Sequence, residues 1–145
     1  MKPIPKPKKS KKLTVTKVQD AVNAAIRRRD GRCVTGDMTC CGNMEASHFY
    51  AKGGSSGLRF YPPNIHVQCS KHHFQHHNRD PLFYAQWMQR NVEQLDWMSR
   101  MRSRPVKYSQ AVLKDIYYMA MGDDLERLTN YIRNLLSNGD DYDAE

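Results

Sequence analysis

Several features that would place this 145-residue chain in a membrane or build it around disulfides are missing from it. No apolar run approaches the roughly 20 residues needed to cross a bilayer. The charged N-terminus has no apolar stretch behind it, so it does not resemble a secretory leader. Together these absences predict a soluble, intracellular protein with no membrane partner. Hydrophobic residues make up only 39% of the chain, enough for one modest core and too few for two. Cysteine is confined to four positions, and in a reducing compartment so few seldom mean disulfides. There is no internal repeat. Acidic side chains are scarce at the front: up to Arg32, only Asp20 and Asp30 stand against eleven Lys and Arg.

What is present is unevenly placed. The net charge is +8, but from Asp115 onward the balance reverses, with eight acidic residues against Arg127 and Arg133. A basic front end suits a polyanion, because each neutralised phosphate releases condensed counterions. For Lys2 to Lys12 the alternative is a merely solvated tail. All six histidines lie between His48 and His77, and Cys69 sits among them, downstream of Cys33, Cys40 and Cys41. This clustering points to metal.

Periodicity divides the chain into an α+β arrangement. Residues 1–15, rich in Lys and Pro, are expected to be a basic arm that is disordered until bound. Thr16 is expected to cap a helix to about Arg29, with Val18, Val22, Ala25 and Ile26 on one face and Arg27, Arg28 and Arg29 at its end. The helical period then disappears. Ser47 to Tyr50 and Leu58 to Tyr61 read as two short strands around a Gly/Ser-rich loop, with Pro62-Pro63 ending the second. A short helix follows from Ser70 to about His77. Beyond Asp80-Pro81 the pattern is helical again, with Asn91 and Ser109 as further caps and Asn138-Gly139 as the last stop. The expected plan is an arm (1–15), a helix with the strand–loop–strand–helix core (16–90), a helical region (91–139) and an acidic tail (140–145).

The Cys/His set allows two chemistries. Cys69 and His72 have the spacing of half a tetrahedral zinc site. Cys33 with Cys41 or Cys40 supplies the other half, and the glycine after Cys41 favours it as the knuckle. Thiolate and imidazole are the donors zinc prefers, and a closed four-ligand site is structural. It would tie the loop before the first strand to the start of the short helix. Separately, His73 and His77 are four apart, so they share one helical face and can chelate one cation. With His48 and Asn64 they could form a hydrolytic site. A neutral imidazole takes a proton from water, and a divalent cation stabilises the charge developing on phosphoryl oxygens. Asn64 could hold the ring or backbone of His48.

Read as a set, Glu45-Ala46-Ser47-His48-Phe49-Tyr50, Leu58-Arg59-Phe60, Asn64-Ile65-His66 and Gln68-Cys69 resemble the lambdoid-phage NinG (Rap) recombination nucleases, as does the helix from Gln19 to Asp30. That family is similar to the wider HNH, or His-Me finger, nucleases. The resemblance implies a zinc-pinned ββα-metal core and a phosphodiesterase that cuts branched DNA such as Holliday junctions and D-loops. His48 would be the general base, Asn64 the middle asparagine, His73 the final histidine with His77 one turn on, and Glu45 a metal ligand or the partner of one. It further implies structural Zn²⁺, catalytic Mg²⁺ or Mn²⁺, and a place in the cytoplasm of a bacterial host. Phage or host recombination proteins would be partners, and a homodimer would suit paired cuts. Arg27, Arg28, Arg29, Lys52, Arg59 and Lys71 would hold the DNA backbone, positioning the duplex without reading its sequence. His66 is expected to pack locally and His76 to face solvent or DNA. The departures are Ser47, where many HNH enzymes carry a metal-binding residue, and a spread first cysteine pair with His72 as last ligand.

Overall fold

The first helix begins earlier than its sequence signal suggested. In a computed structural model, which describes residues 1–6, 11–53 and 56–138, α1 spans Val15–Asp30. Its cap is Thr14, whose hydroxyl accepts the Lys17 amide, so Thr16 lies inside the first turn. Just upstream, the backbone of Leu13 exchanges two hydrogen bonds with the Gln110 side chain, so this end of the expected disordered arm is fixed to the helical half. Residues 7–10 and the expected acidic tail lie outside the described residues, as does Gly139.

The remaining elements are β1 (Met44–His48), β2 (Ile65–Cys69), α2 (Ser70–Asn78), α3 (Leu82–Met88), α4 (Val92–Met101), α5 (Gln110–Met121) and α6 (Leu125–Ser137). The two strands form one antiparallel ribbon, with Met44 opposite Cys69 and His48 opposite Ile65. The expected second strand at Leu58 to Tyr61 is therefore not one. Leu58, Phe60 and Tyr61 are all fully buried, so this stretch lacks the two-faced exposure of a strand at a ribbon's edge. It docks into the helical core through irregular backbone bounded by 3-10 turns at Ser56–Leu58 and Pro62–Asn64. Pro62-Pro63 opens the second turn instead of ending a strand. The strand proper is Ile65-His66-Val67-Gln68-Cys69, and Asn64 stands immediately before it. The first strand is likewise shifted, since Phe49 and Tyr50 have left the ladder.

The helical expectations agree more closely. Asn91 and Ser109 cap α4 and α5 by accepting the Gln94 and Val112 amides. The Gln94 side chain does not return to Asn91 as a capping box would; it donates to the Tyr61 hydroxyl (2.6 Å). Val18, Val22 and Ile26 of α1, Ile65 and Val67 of β2, and Leu113, Ile116, Leu128 and Ile132 of α5 and α6 belong to one continuous hydrophobic core. The fold is thus mixed α+β, with α1 between the ribbon and α5. Among the described residues no helix is long and apolar enough to cross a membrane.

Candidate metal centre and candidate active site

The segment from Cys33 to Asn43 runs beside the ribbon. The Val34 amide donates to the Val67 carbonyl (2.8 Å), and Gln68 Nε2 donates to the Thr35 hydroxyl (2.9 Å). This places the Cys33 and Cys40 thiols over the start of α2. His72 Nδ1 lies 3.0 Å from Cys69 Sγ, 3.5 Å from Cys33 Sγ and 3.6 Å from Cys40 Sγ, and all four donors lie within 4.8 Å of one another. Tetrahedral zinc, with bonds of about 2.3 Å to sulfur and about 2.0 Å to nitrogen, separates N and S by roughly 3.6 Å. The donor set and its spacing fit such an ion.

Two glycines make the approach possible. A Cβ at Gly36 would stand 2.8 Å from the Cys33 carbonyl oxygen and 3.3 Å from Cys40 Sγ. Gly42 has φ of +87°, and a Cβ there would meet Ser70 Cβ at 2.7 Å. The glycine after Cys41 therefore lets the chain pass the head of α2, and the sulfur comes from Cys40. Cys41, the favoured knuckle residue in the sequence, is exposed and outside the four-donor group; its carbonyl accepts the Lys71 amide.

The centre has further support. Burial opposes ionisation of Cys69, but the backbone amides of His72 and Cys41 and the His72 ring override it and hold this thiol down at about 7. Burial pushes the Cys40 thiol up, so this ligand would lose its proton only to a bound cation. Behind the cluster, His72 Nε2 faces the Asp37 carboxylate at 3.6 Å, and Phe83 stacks on the ring with centroids 5.9 Å apart. A carboxylate on the far nitrogen of a metal-binding histidine fixes the tautomer that presents the other nitrogen. Asp37 was not singled out in the sequence, although the turn Asp37-Met38-Thr39 directly before Cys40 is a signal that could have found it; its carboxylate accepts the Thr39 amide.

The second group lies where β1 ends. His48 is buried, and its Nε2 is 2.8 Å from the Arg59 carbonyl oxygen. The proton must sit on Nε2 to make that bond, which leaves the Nδ1 lone pair unprotonated. Burial lowers the imidazolium pKa to about 4; the Arg59 carbonyl resists this, while the charges of Lys52 and Arg59 assist it. The ring is neutral at pH 7.

Asn64 is fully buried and acts on the loop, not on the His48 ring. Its Nδ2 donates to the carbonyls of Tyr50 (3.1 Å) and Leu58 (3.2 Å), and its Oδ1 accepts the Tyr50 amide (2.9 Å). Its own carbonyl accepts the Phe49 amide. The asparagine thus holds together the two ends of the segment that presents the Arg59 carbonyl to His48.

On α2, His73 Nδ1 lies 3.5 Å from Glu45 Oε2, and the His77 ring is 5.0 Å from that of His73. Glu45 also accepts from the Ser70 hydroxyl. Glu45 and His73 are brought together, with His77 alongside, but they do not form a three-donor metal group among the described residues. Burial, with the charges of His76 and His73, depresses the His77 pKa to about 4.

His76 departs from expectation. It is buried rather than facing solvent, its Nε2 donates to the Phe49 carbonyl (3.1 Å), and its ring stacks on Phe49. It pins the strand end to α2, because position 76 of the helix faces the ribbon. His66 packs locally as expected, with Nδ1 2.9 Å from the Tyr84 hydroxyl.

The expected DNA-binding cations are not equally free. Arg29 bonds Asp30 and the carbonyls of Pro62 and Ile65, so it ties α1 to β2. Arg28 pairs with Asp123 at 2.7 Å, and Arg59 reaches Gln19. Lys71 donates to the Thr39 carbonyl. Arg27 and Lys52 are exposed.

These features define a small α+β protein with a candidate Cys3His metal centre beside a two-stranded ribbon and helix. A family model described as the bacteriophage lambda NinG protein matches residues 5–127, and the chain belongs to that family. No curated protein and no solved structure matches it.

Proposed function

We propose that this chain is a metal-dependent DNA endonuclease built on a ββα-metal unit and selective for branched recombination intermediates. The observation that supports it most is the ring of His48, held at Nε2 by the Arg59 carbonyl with Nδ1 unprotonated. The family resemblance supplies the substrate class.

In this reading Nδ1 of His48 takes a proton from the attacking water. The water oxygen bonds to phosphorus while the bond from phosphorus to the leaving sugar oxygen breaks. An anionic phosphate beside the ring would raise its low pKa toward the range where a base works well. Glu45 and His73, with His77 next to them, would hold a divalent cation. The Glu45 carboxylate suits Mg²⁺ or Mn²⁺, and Glu45 and His73 are partly exposed, as a site that keeps open positions must be. Such a cation, when bound, stabilises charge on the phosphoryl and leaving oxygens. Asn64 positions the loop, and the exposed Arg27 and Lys52 would meet phosphates. The Cys33, Cys40, Cys69 and His72 cluster would hold structural Zn²⁺ under the head of α2.

One observation favours a second reading, a zinc-stabilised nucleic-acid-binding module without catalysis. Among the described residues the Cys3His set is a complete four-donor group, whereas Glu45 and His73 make only a pair.

The deciding experiment incubates the protein and His48→Ala with a labelled four-way junction and a linear duplex, with Mg²⁺, with Mn²⁺, or with neither. The nuclease reading expects metal-dependent cutting, preferentially of the junction, reduced at least about 100-fold in the variant with binding retained. Unchanged cutting by His48→Ala overturns the assigned base. Tight binding without cleavage in either metal establishes the second reading.

A further inference from the structure

A second cationic feature lies away from the Cys3His centre and shares no residue with Glu45, His48, Asn64, His73 or His77. Two adjoining cavities, of about 280 and 360 Å³, open between the end of α1, β2 and the α3–α4 junction. Both are lined by Arg29, His66, Trp87 and Arg90, and Arg32 borders the second. The Arg90 guanidinium lies over the Trp87 ring, 4.3 Å from its centroid, and His66 meets the same ring edge-on at 4.5 Å. Stacking fixes the plane of a guanidinium while leaving its N–H edge free to donate.

The charge there is not balanced. Asp30 is the carboxylate among the lining residues, and it is already bonded to Arg29 and to the Val67 amide. Arg29 spends most of its donors on Asp30 and the Pro62 and Ile65 carbonyls, so it contributes field more than hydrogen bonds. His66 adds no charge of its own. Burial, aided by the positive charges of Arg29 and Arg90, holds its pKa at about 3, so the ring stays neutral.

We propose that Arg90, oriented by Trp87 and backed by Arg32 and Arg29, binds a backbone phosphate of DNA at a site separate from the one that would be cut. A planar guanidinium fork matches two phosphate oxygens, and a preset plane lessens the entropy lost on binding. Next to it, His66 pairs with Ser47, the residue before His48, and Tyr84 bonds both the Ser47 carbonyl and the His66 ring. A strand gripped at Arg90 is thereby registered against the strand that carries the candidate base. The inference rests on the DNA-directed reading above but not on catalysis.

The test measures binding of a labelled duplex and a four-way junction without added Mg²⁺ or Mn²⁺, over a range of NaCl concentrations. It compares the wild type with Arg90→Gln, Trp87→Leu and Arg100→Gln. Arg100 is exposed and pairs with Asp96 on α4, so its variant controls for the loss of one surface charge. Arg90→Gln is expected to weaken binding about three- to tenfold and to reduce the slope of log K against log[salt] by about 0.9. Trp87→Leu should weaken binding in the same direction, and Arg100→Gln should fall well short of both. Inorganic phosphate at matched ionic strength serves as competitor. Displacement of DNA confined to the wild type is expected, because the competitor then acts at Arg90. Displacement equal in Arg90→Gln, or phosphate binding that needs Arg90 while DNA affinity does not, overturns the assignment to DNA. Equal effects of Arg90→Gln and Arg100→Gln, or none, overturn the pocket and leave the nuclease reading standing. A protein that binds DNA through Arg90 yet never cuts it retains the pocket and loses the nuclease. Absence of any DNA binding overturns both.

Discussion

Asn64 shows how a single buried side chain can govern a site it does not touch. It satisfies the Tyr50 amide and the carbonyls of Tyr50 and Leu58 in a fully buried position, so truncation strips the Tyr50 amide and carbonyl of their side-chain partner and leaves the Leu58 carbonyl with the Tyr61 amide. Each such group costs about 1–3 kcal/mol, though a loop end can relax toward water. Asn64→Ala is therefore expected to lower unfolding stability by about 2–4 kcal/mol in urea titrations. It should also release the Arg59 carbonyl from His48, whose ring would then lose its fixed tautomer. A variant as stable as the wild type would contradict the role assigned to Asn64. His66 gives a prediction in pH. Its folded pKa of about 3 lies below the ordinary value of 6.5, so between those values the unfolded chain binds a proton that the native one does not. The contribution is fully present above pH 6.5 and is lost as pH falls toward 3. Between pH 7 and pH 5, the wild type should lose about 1–2 kcal/mol more stability than His66→Gln, compared by urea midpoints at each pH.

At the scale of elements, the informative comparison is between the Cys33–Asn43 segment and the segment from Phe49 to Asn64. Neither has a period, and they differ in how far their residue types reveal them. Cys33, Cys69 and His72 announce a metal centre by chemistry, and the structure groups them. Cys40 against Cys41 was not decidable from spacing, because the choice depends on the backbone turn at Gly42 against Ser70. The α2 histidines were legible by helical spacing, except His76, whose burial follows from how α2 crosses the ribbon. The second strand was misplaced because Leu58-Arg59-Phe60-Tyr61 has β-prone composition, while its burial is dictated by contacts with distant helices. The Arg59 carbonyl, a main-chain atom, leaves no trace in side-chain pattern at all. For the metal segment, Cys33→Ser, Cys40→Ser and Cys69→Ser should each abolish stoichiometric zinc, whereas Cys41→Ser should retain it, as measured by elemental analysis of purified protein. Zinc retained by Cys40→Ser and lost by Cys41→Ser would reverse the choice. Metal removal should also loosen the head of α2, read as faster hydrogen exchange at Ser70 and Lys71, whose amides bond Asn43 and Cys41.

Across the whole molecule, the helices after Asp80 are more than an appendage to the half that carries the candidate metal centre. Leu58, Phe60 and Tyr61, which flank the Arg59 carbonyl, are buried in the same core as Trp97, Ile116, Leu128 and Leu136. Tyr61 is bonded through its hydroxyl to Gln94 and Arg133, and Arg28 of α1 pairs with Asp123 at the turn between α5 and α6. A chain with 39% hydrophobic residues has little apolar area to divide, so sharing it between halves is how both become stable. One cooperative transition should follow. Ile116 is fully buried on α5, and Ile116→Ala is expected to cost about 2–5 kcal/mol through lost burial and an unfilled cavity. With Co²⁺ bound in the Cys3His centre as a visible reporter, its thiolate absorption and the far-ultraviolet helix signal should melt together, both shifted down by the substitution. Helix loss at lower temperature with the Co²⁺ spectrum intact would mean that the two halves unfold separately. In that case the loop that presents the Arg59 carbonyl to His48 would not need the helical half to hold its shape.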